Sequence, residues 1–421
     1  MTVRTVPGTV GAFVEPTQRV GGLLLGTMAL CNLGVMLAFY APLQNLLPRL
    51  SESVAGASGK ESTLAVITGV GVIGSVIGQP LTGALSDRTT SRWGRRRPWL
   101  LGGALAGAAA VALVPYLTSV VAITLVWLVA QFTINATFAA LTATIPDQVP
   151  VDQRGIASGL MGLAQTVGIV AGVAMVSYLV TSLRGGFAIT ALLLVILTIP
   201  FLLRLRDPRL DPADRVPFQW GEFIRGFWVS PRRYPDFAWA WSARFAVQLG
   251  NAIGTVYLLF FLKDRIGLPE SDAEQAQTLV IGLYALGSIL TAVVGGYISD
   301  RTGRRKRYVV LSTVVMAGAA VMLAMFTVLP MVYVAGFLLG AGYGWYQGVD
   351  QALVTQVLPG ARDRARDLGV INIANSAPQV IAPVIAFVCV IHLGGYPTLY
   401  LITGVVTLLG AWAVQPIRSV R

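Results

Sequence analysis

Long, continuously apolar runs separated by short polar or arginine-rich stretches recur from one end of the chain to the other. The apolar positions do not alternate with polar ones, as they would in the strands of a membrane barrel. A bilayer core takes about 20 apolar residues per helix. On that measure the runs predict twelve spanning helices, at residues 20–47, 62–85, 98–117, 120–146, 155–181, 184–204, 237–262, 277–298, 308–329, 332–357, 369–391 and 396–416. Helices suit such runs because a backbone in lipid has to satisfy its own hydrogen bonds. The longest polar stretch, residues 204–236, is rich in proline and charge and reads as a linker on the solvent side of the membrane. The expected fold is therefore all-α, with one six-helix bundle in residues 1–203 and a second in 237–421.

Composition agrees: 55% of the 421 residues are hydrophobic and only 12% charged, a balance that a soluble domain of this size does not need. The first apolar run is too long for a signal peptide and is expected to stay as the first helix. A net charge of +12 invites a nucleic-acid reading. Placing the 31 lysines and arginines on the helix map removes that reading, because they are spread over separate loops rather than gathered in one patch. All but six lie on one side of the expected bilayer; Arg49, Lys60, Arg184, Lys263 and Arg265 lie on the other, and Arg244 lies inside a span. The positive-inside rule makes the arginine-rich side, with both termini, cytoplasmic.

A polar pattern occurs twice, as GALSDRTTSRWGRRRP from Gly83 and GGYISDRTGRRKR from Gly295, which makes Asp87 and Asp300 equivalent. A second pairing relates ALTATIPDQVPVDQRGIASG from Ala140 to ALVTQVLPGARDRARDLG from Ala352, matching Arg154 with Arg364 at a nearly equal shift. The two bundles thus read as parallel repeats, an arrangement that places a binding site between halves near the midplane.

The loop from Gly83 to Pro98 resembles the signature loop of the major facilitator superfamily, and the shorter stretch from Gly296 to Lys306 is similar to its second-half counterpart. The resemblance implies twelve helices in two pseudo-symmetric bundles and transport of a small solute by alternating access, with the loops as a latch on the cytoplasmic side. The latch residues so implied are Gly83, Asp87, Arg88, Arg92, Gly94, Arg95 and Arg96 in the first copy and Asp300, Arg301, Arg304 and Arg305 in the second. Asp87 is expected to sit at a neighbouring helix N-terminus, where the dipole favours an anion, while the arginines bridge to facing carboxylates. Setting the topology is the other role open to Arg95, Arg96 and Arg97. Within the superfamily, QPLTGALSDRTTSRWGRRRPW from Gln79 and GVINIANSAPQ from Gly369 resemble the sugar:cation symporters of the sucrose:proton (glycoside-pentoside-hexuronide) type. The fourth helix departs from that group in having only neutral polar residues, Gln131, Thr133, Asn135 and Thr137.

Two ionised residues lie well inside the spans, Arg244 in the seventh and Asp350 in the tenth. At 1.5 Å per residue they sit about 10 Å and about 13 Å from the cytoplasmic ends of their helices, so they share a depth. Charges at such depth are costly and are kept for pathways, relays or pairs. Asp350 is expected to be the proton-coupling carboxylate with Arg244 as counter-ion or solute ligand, or else the two form a static pair pinning their helices together. The resemblance implies that the first, fourth, seventh and tenth helices line a central cavity. Its expected neutral lining is Asn32, Tyr40, Gln44, Gln131, Asn135, Gln248, Asn251, Tyr257, Tyr343, Tyr346 and Gln347. Amides that read hydroxyls and rings that stack on apolar sugar faces suit a sugar-like solute.

No nucleophile elbow, phosphate loop or metal-ligand cluster is found. The chain is therefore expected to be no enzyme and to use no cofactor or metal. The expected function is proton-coupled uptake of a sugar-like solute by a monomer in a bacterial inner membrane, the bilayer and proton its other partners. A proton-coupled exporter of amphipathic compounds and a non-transporting sensor of the same fold are the alternatives.

Overall fold

The computed structural model describes residues 16–150, 153–215, 217–221, 230–357 and 364–418. Twelve helices of membrane-crossing length follow one another in it: α1 (Gly22–Ala41), α2 (Leu47–Asp87), α3 (Arg97–Leu113), α4 (Val120–Gln148), α5 (Arg154–Ala174), α6 (Leu183–Arg204), α7 (Pro235–Val256), α8 (Glu270–Thr302), α9 (Arg305–Met325), α10 (Leu329–Val357), α11 (Arg364–His392) and α12 (Tyr396–Val414). Among the described residues nine runs are long and apolar enough to cross a membrane, or ten with the bent run Pro235–Arg265. One of the nine, Gly22–Asp87, is α1 and α2 together, and α10 falls outside the set because its centre is rich in glycine, tyrosine and glutamine.

The junction of the first two helices differs from the sequence expectation. The chain stays helical through a π turn at Pro42–Leu46 and on into α2, and helical geometry breaks only at Gly56, with φ +68°. Glu52 and Lys60, on either side of that break, meet the consecutive residues Lys263 and Asp264, which shows that the chain reverses there. Only glycine adopts this backbone conformation without strain. The polar Ser51–Lys60 stretch, read from sequence as a loop, is helical up to the break and beyond it.

The repeat seen in the sequence is also a repeat in packing. In the first half α1 packs on α5 and α6, α2 on α4, and α3 on α4 and α6; in the second, α7 packs on α11 and α12, α8 on α10, and α9 on α10 and α12. The halves meet where α2 packs on α11 and α5 on α8. Bundles in water bury an apolar face against a core; here exposed leucines, valines and isoleucines ring the outside, as a lipid-facing surface requires. Gly168 and Gly172 lie against α1, where a Cβ would meet Met36 and Leu37, whereas nothing lies within 4 Å of a Cβ at Gly22 or Gly26.

Candidate functional site

The polar face of α7 and that of α10 are turned toward each other at the centre of the molecule. Arg244 Nε donates to Asp350 Oδ2 at 2.6 Å, and Arg244 Nη2 reaches the same oxygen. Tyr346, one helical turn before Asp350, donates its hydroxyl to the other carboxylate oxygen at 2.9 Å. Both charged residues are buried, with 6% and 4% of their surface exposed, so the pair is desolvated and each charge depends on the other. Beside it Tyr343 donates to Gln248 Oε1 at 2.8 Å, and Gln248 Nε2 donates to Asn375 Oδ1 at 3.2 Å. The two rings of α10 lie 6.5 Å apart and tilted, forming an aromatic wall.

Across from this wall is a neutral one. On α4 the Asn135 amide donates to Ser75 Oγ at 2.8 Å, and Ser75 donates to Gln131 Oε1 at 3.0 Å. Together the two walls enclose a cavity of about 400 Å³, a volume that holds a small solute.

Of the expected lining residues, Tyr40, Gln131, Asn135, Gln248, Tyr343, Tyr346 and Gln347 bound this cavity together with Arg244 and Asp350. Gln44 and Asn251 instead line a second, smaller cavity of about 210 Å³, which shares Tyr40, Tyr343 and Gln347 with the first. Asn251 accepts from the Tyr284 hydroxyl there at 2.9 Å. Two residues do not reach either cavity. Asn32 is spent on helix packing, its amide donating to Met161 O of α5 at 2.7 Å. Tyr257 lies where α7 breaks, and its hydroxyl donates to Glu61 O at 2.9 Å, tying α7 to α2. The lining also contains Ser75, Gln79, Gln165, Asn375 and Gln379, which the sequence reading passed over. Their signal was present: Ser75 with Gln79, and Asn375 with Gln379, stand four residues apart on single helix faces.

On the arginine-rich face the first signature loop is tied by carboxylates. Arg96 bridges Asp87 and Asp147, with 2.9 Å from its Nε to Asp147, and also donates to Ser86; Arg95 meets the second Asp147 oxygen at 2.6 Å. The anion at the N-terminus of α3 is Asp207, not the expected Asp87. Asp207 Oδ2 accepts from the backbone N–H groups of Arg96 and Arg97 at 2.6 and 2.7 Å. Burial raises the Asp207 pKa, against those backbone N–H groups, which lower it. Gly94 is required beside it: φ is +99°, and a Cβ would stand 2.3 Å from the Asp207 carboxyl. Asp147 and Asp207 are the partners the sequence reading missed; each is an acidic residue at a helix end on the arginine-rich side.

Arg88 donates to Ala84 O at 2.8 Å and lies over the Phe218 ring, Arg92 is exposed, and a Cβ at Gly83 would meet nothing within 4 Å. In the second copy Arg301 covers the ring of Tyr297, Arg304 is exposed at the start of α9, and Arg305 begins that helix. Asp300 lies near the end of α8, outside the residues whose side chains are described.

At the opposite face the halves are joined by charge. Lys60 meets Asp264 at 2.7 Å, Arg49 meets Glu274 at 3.0 Å, and Lys263 meets Glu52. Tyr396 donates to Asp264 at 2.7 Å, and Gln277 to Gln44 O at 2.8 Å. Three of the five cations that the positive-inside count left on this face, Arg49, Lys60 and Lys263, are thus the ones that join the halves.

Residues 23–277 and 271–419 match the Major Facilitator Superfamily. The chain belongs to this superfamily. Superfamily structures share its fold along nearly its whole length: the nucleoside transporter NupG (TM-score 0.73, 14% identity, 94% of this chain and 100% of that one), the human organic anion transporter MFSD10 (0.70, 17%, 93% and 99%) and a D-xylose-proton symporter (0.69, 15%, 95% and 98%). Sequence relatives include an uncharacterised symporter of Synechocystis sp., 62% identical over 34 residues, or 8% of this chain and 6% of that protein. The probable nitrate/nitrite antiporter NarK1 of Thermus thermophilus is 29% identical over 188 residues, 41% of this chain and 40% of its own. The chain therefore matches less than half the length of either relative.

Proposed function

We propose that the protein is a secondary transporter that takes up a small, neutral, hydroxylated solute of the sugar type together with a proton. The observation that carries this reading is the central cavity: amides, tyrosines and the Ser75 hydroxyl form its polar lining, with a buried carboxylate–guanidinium pair set into one wall. Amides both donate and accept, as sugar hydroxyls do, and aromatic faces pack on the apolar faces of sugar rings. Asp350 is the proton acceptor in this account. Its two oxygens are held by Arg244 and Tyr346, so protonation frees Arg244 and loosens α7 from α10.

The positive-inside rule makes the arginine-rich face cytoplasmic. The charge pairs Lys60–Asp264, Lys263–Glu52 and Arg49–Glu274 then close the outer face, and the cavity belongs to an inward-facing state. Asp87, Arg95 and Arg96, with Asp147 and Asp207, form the cytoplasmic latch within the first half, and Arg301, Arg304 and Arg305 with Asp300 its counterpart in the second. The anion-antiporter reading suggested by the NarK1 likeness is weaker, because the cavity guanidinium is already neutralised by Asp350.

Counterflow in liposomes holding the purified protein tests the solute class. Exchange of a labelled monosaccharide, disaccharide or polyol is expected. Exchange of nitrate or of an amphipathic cation, with none of any sugar, would replace this reading by anion transport or export.

A further inference from the structure

One small network in the cavity wall starts from a main-chain carbonyl, which fixes the orientation of its first amide. Asn135 Nδ2 lies 2.8 Å from Gln131 O, a main-chain carbonyl that can only accept. The Asn135 side chain must therefore present its nitrogen there, with its oxygen on the other side. The second hydrogen of that nitrogen goes to Ser75 Oγ, at 2.8 Å. The Ser75 hydroxyl in turn gives its own hydrogen to Gln131 Oε1, at 3.0 Å. The order ends with two groups that this network leaves free on the cavity wall: the Gln131 Nε2 donor and the Asn135 Oδ1 acceptor. All three residues line the cavity, and Gln131 and Asn135 are themselves buried, 2% and 5% exposed.

We propose that Ser75 is a positioning residue that holds the amides of Gln131 and Asn135 in one orientation, so that the wall offers one donor and one acceptor a helical turn apart. Such a pair selects a solute whose neighbouring groups each donate and accept, as adjacent hydroxyls on a sugar or polyol do. It discriminates against nitrate and similar anions, which only accept and would face the Asn135 oxygen lone pairs with nothing to give. Without the Ser75 hydroxyl the Gln131 amide is free to rotate by half a turn, and a rotated amide presents an oxygen where the donor stood. The inference deepens the sugar-type reading and rests on it.

The test is uptake kinetics in proteoliposomes with D-xylose, D-glucose, sucrose, myo-inositol and nitrate as probes. For a hydroxylated probe that wild type moves, Ser75→Ala is expected to raise KM roughly tenfold with the maximal rate retained, the effect of about one hydrogen bond. Ser75→Thr, which keeps the hydroxyl, is expected to restore KM to within about twofold of wild type. Gln131→Glu still accepts from Ser75 but offers no donor to the cavity, and is expected to raise KM as Ser75→Ala does; it carries the test if Ser75→Ala does not fold. An unchanged KM in Ser75→Ala or in Gln131→Glu, in a protein that moves a hydroxylated probe, overturns the role of the network while leaving the solute class intact. Wild type that moves nitrate alone, or none of the hydroxylated probes, overturns the solute class and this inference with it.

Discussion

Removing either member of the Arg244–Asp350 pair leaves the other charge buried without its partner, at a cost on the order of 3–5 kcal/mol. Arg244→Ala and Asp350→Ala are each expected to lower the thermal midpoint of the detergent-solubilised protein by several degrees. An apolar double replacement, Arg244→Met with Asp350→Leu, is expected to recover most of that loss, because it removes both desolvated charges. Single variants as stable as wild type would mean that water reaches the pair. This pair was legible in the sequence, since ionised residues inside apolar runs stand out, and helical rise alone put them at one depth. Asn32 was not legible as a packing residue. Its polarity is visible in the chain, but the side of α1 that faces α5 rather than the cavity is set by packing between helices distant in sequence. Asp207 was hidden for a related reason: its partners are backbone N–H groups 110 and 111 residues away.

At the scale of elements, the cavity depends on how closely α10 lies against α8. A Cβ added at Gly340 or Gly344 would come to 2.0 Å from Tyr284 O or Ser288 O, both of them backbone atoms. The neighbouring helix cannot yield at such a contact without moving as a whole, and α10 carries Tyr343, Tyr346 and Asp350. Gly344→Ala is expected to destabilise by about 1–3 kcal/mol or more, read as a lower thermal midpoint and a lower yield of monodisperse protein. Gly282→Ala on α8, with nothing within 4 Å of the added Cβ, is the matched control and is expected to behave as wild type. Equal behaviour of the two would contradict the packing described. The existence and order of all twelve helices could be read from apolar runs of about 20 residues. The ends could not, and α2 shows why. Polar residues from Ser51 to Lys60 look like a loop by hydropathy, yet stay helical because Glu52 and Lys60 find partners on the segment that follows α7.

At the scale of the whole molecule, the two halves are held by ion pairs at the face opposite the arginine-rich loops, with the larger cavity lined chiefly by α1, α2, α4, α7, α10 and α11. The repeat in sequence is matched by a repeat in packing, pair by pair, which is the symmetry that alternating access exploits by rocking one half against the other. The arginine-rich loop motif and the positive-inside count were both available in the sequence. The closure of the opposite face was not, because it joins residues roughly 200 positions apart through side chains that look like ordinary loop charges.

The central claim is that solute and proton move together through the Arg244–Asp350 cavity. Substrate-triggered proton flux across liposomes containing the protein and a pH dye, with Asp350→Asn measured alongside, tests it most directly. The account predicts external alkalinisation when a sugar or polyol is added outside wild-type liposomes, and its loss in Asp350→Asn while counterflow of the same solute persists. Uptake of the solute with no proton signal, or a proton signal of equal size in Asp350→Asn, would contradict it.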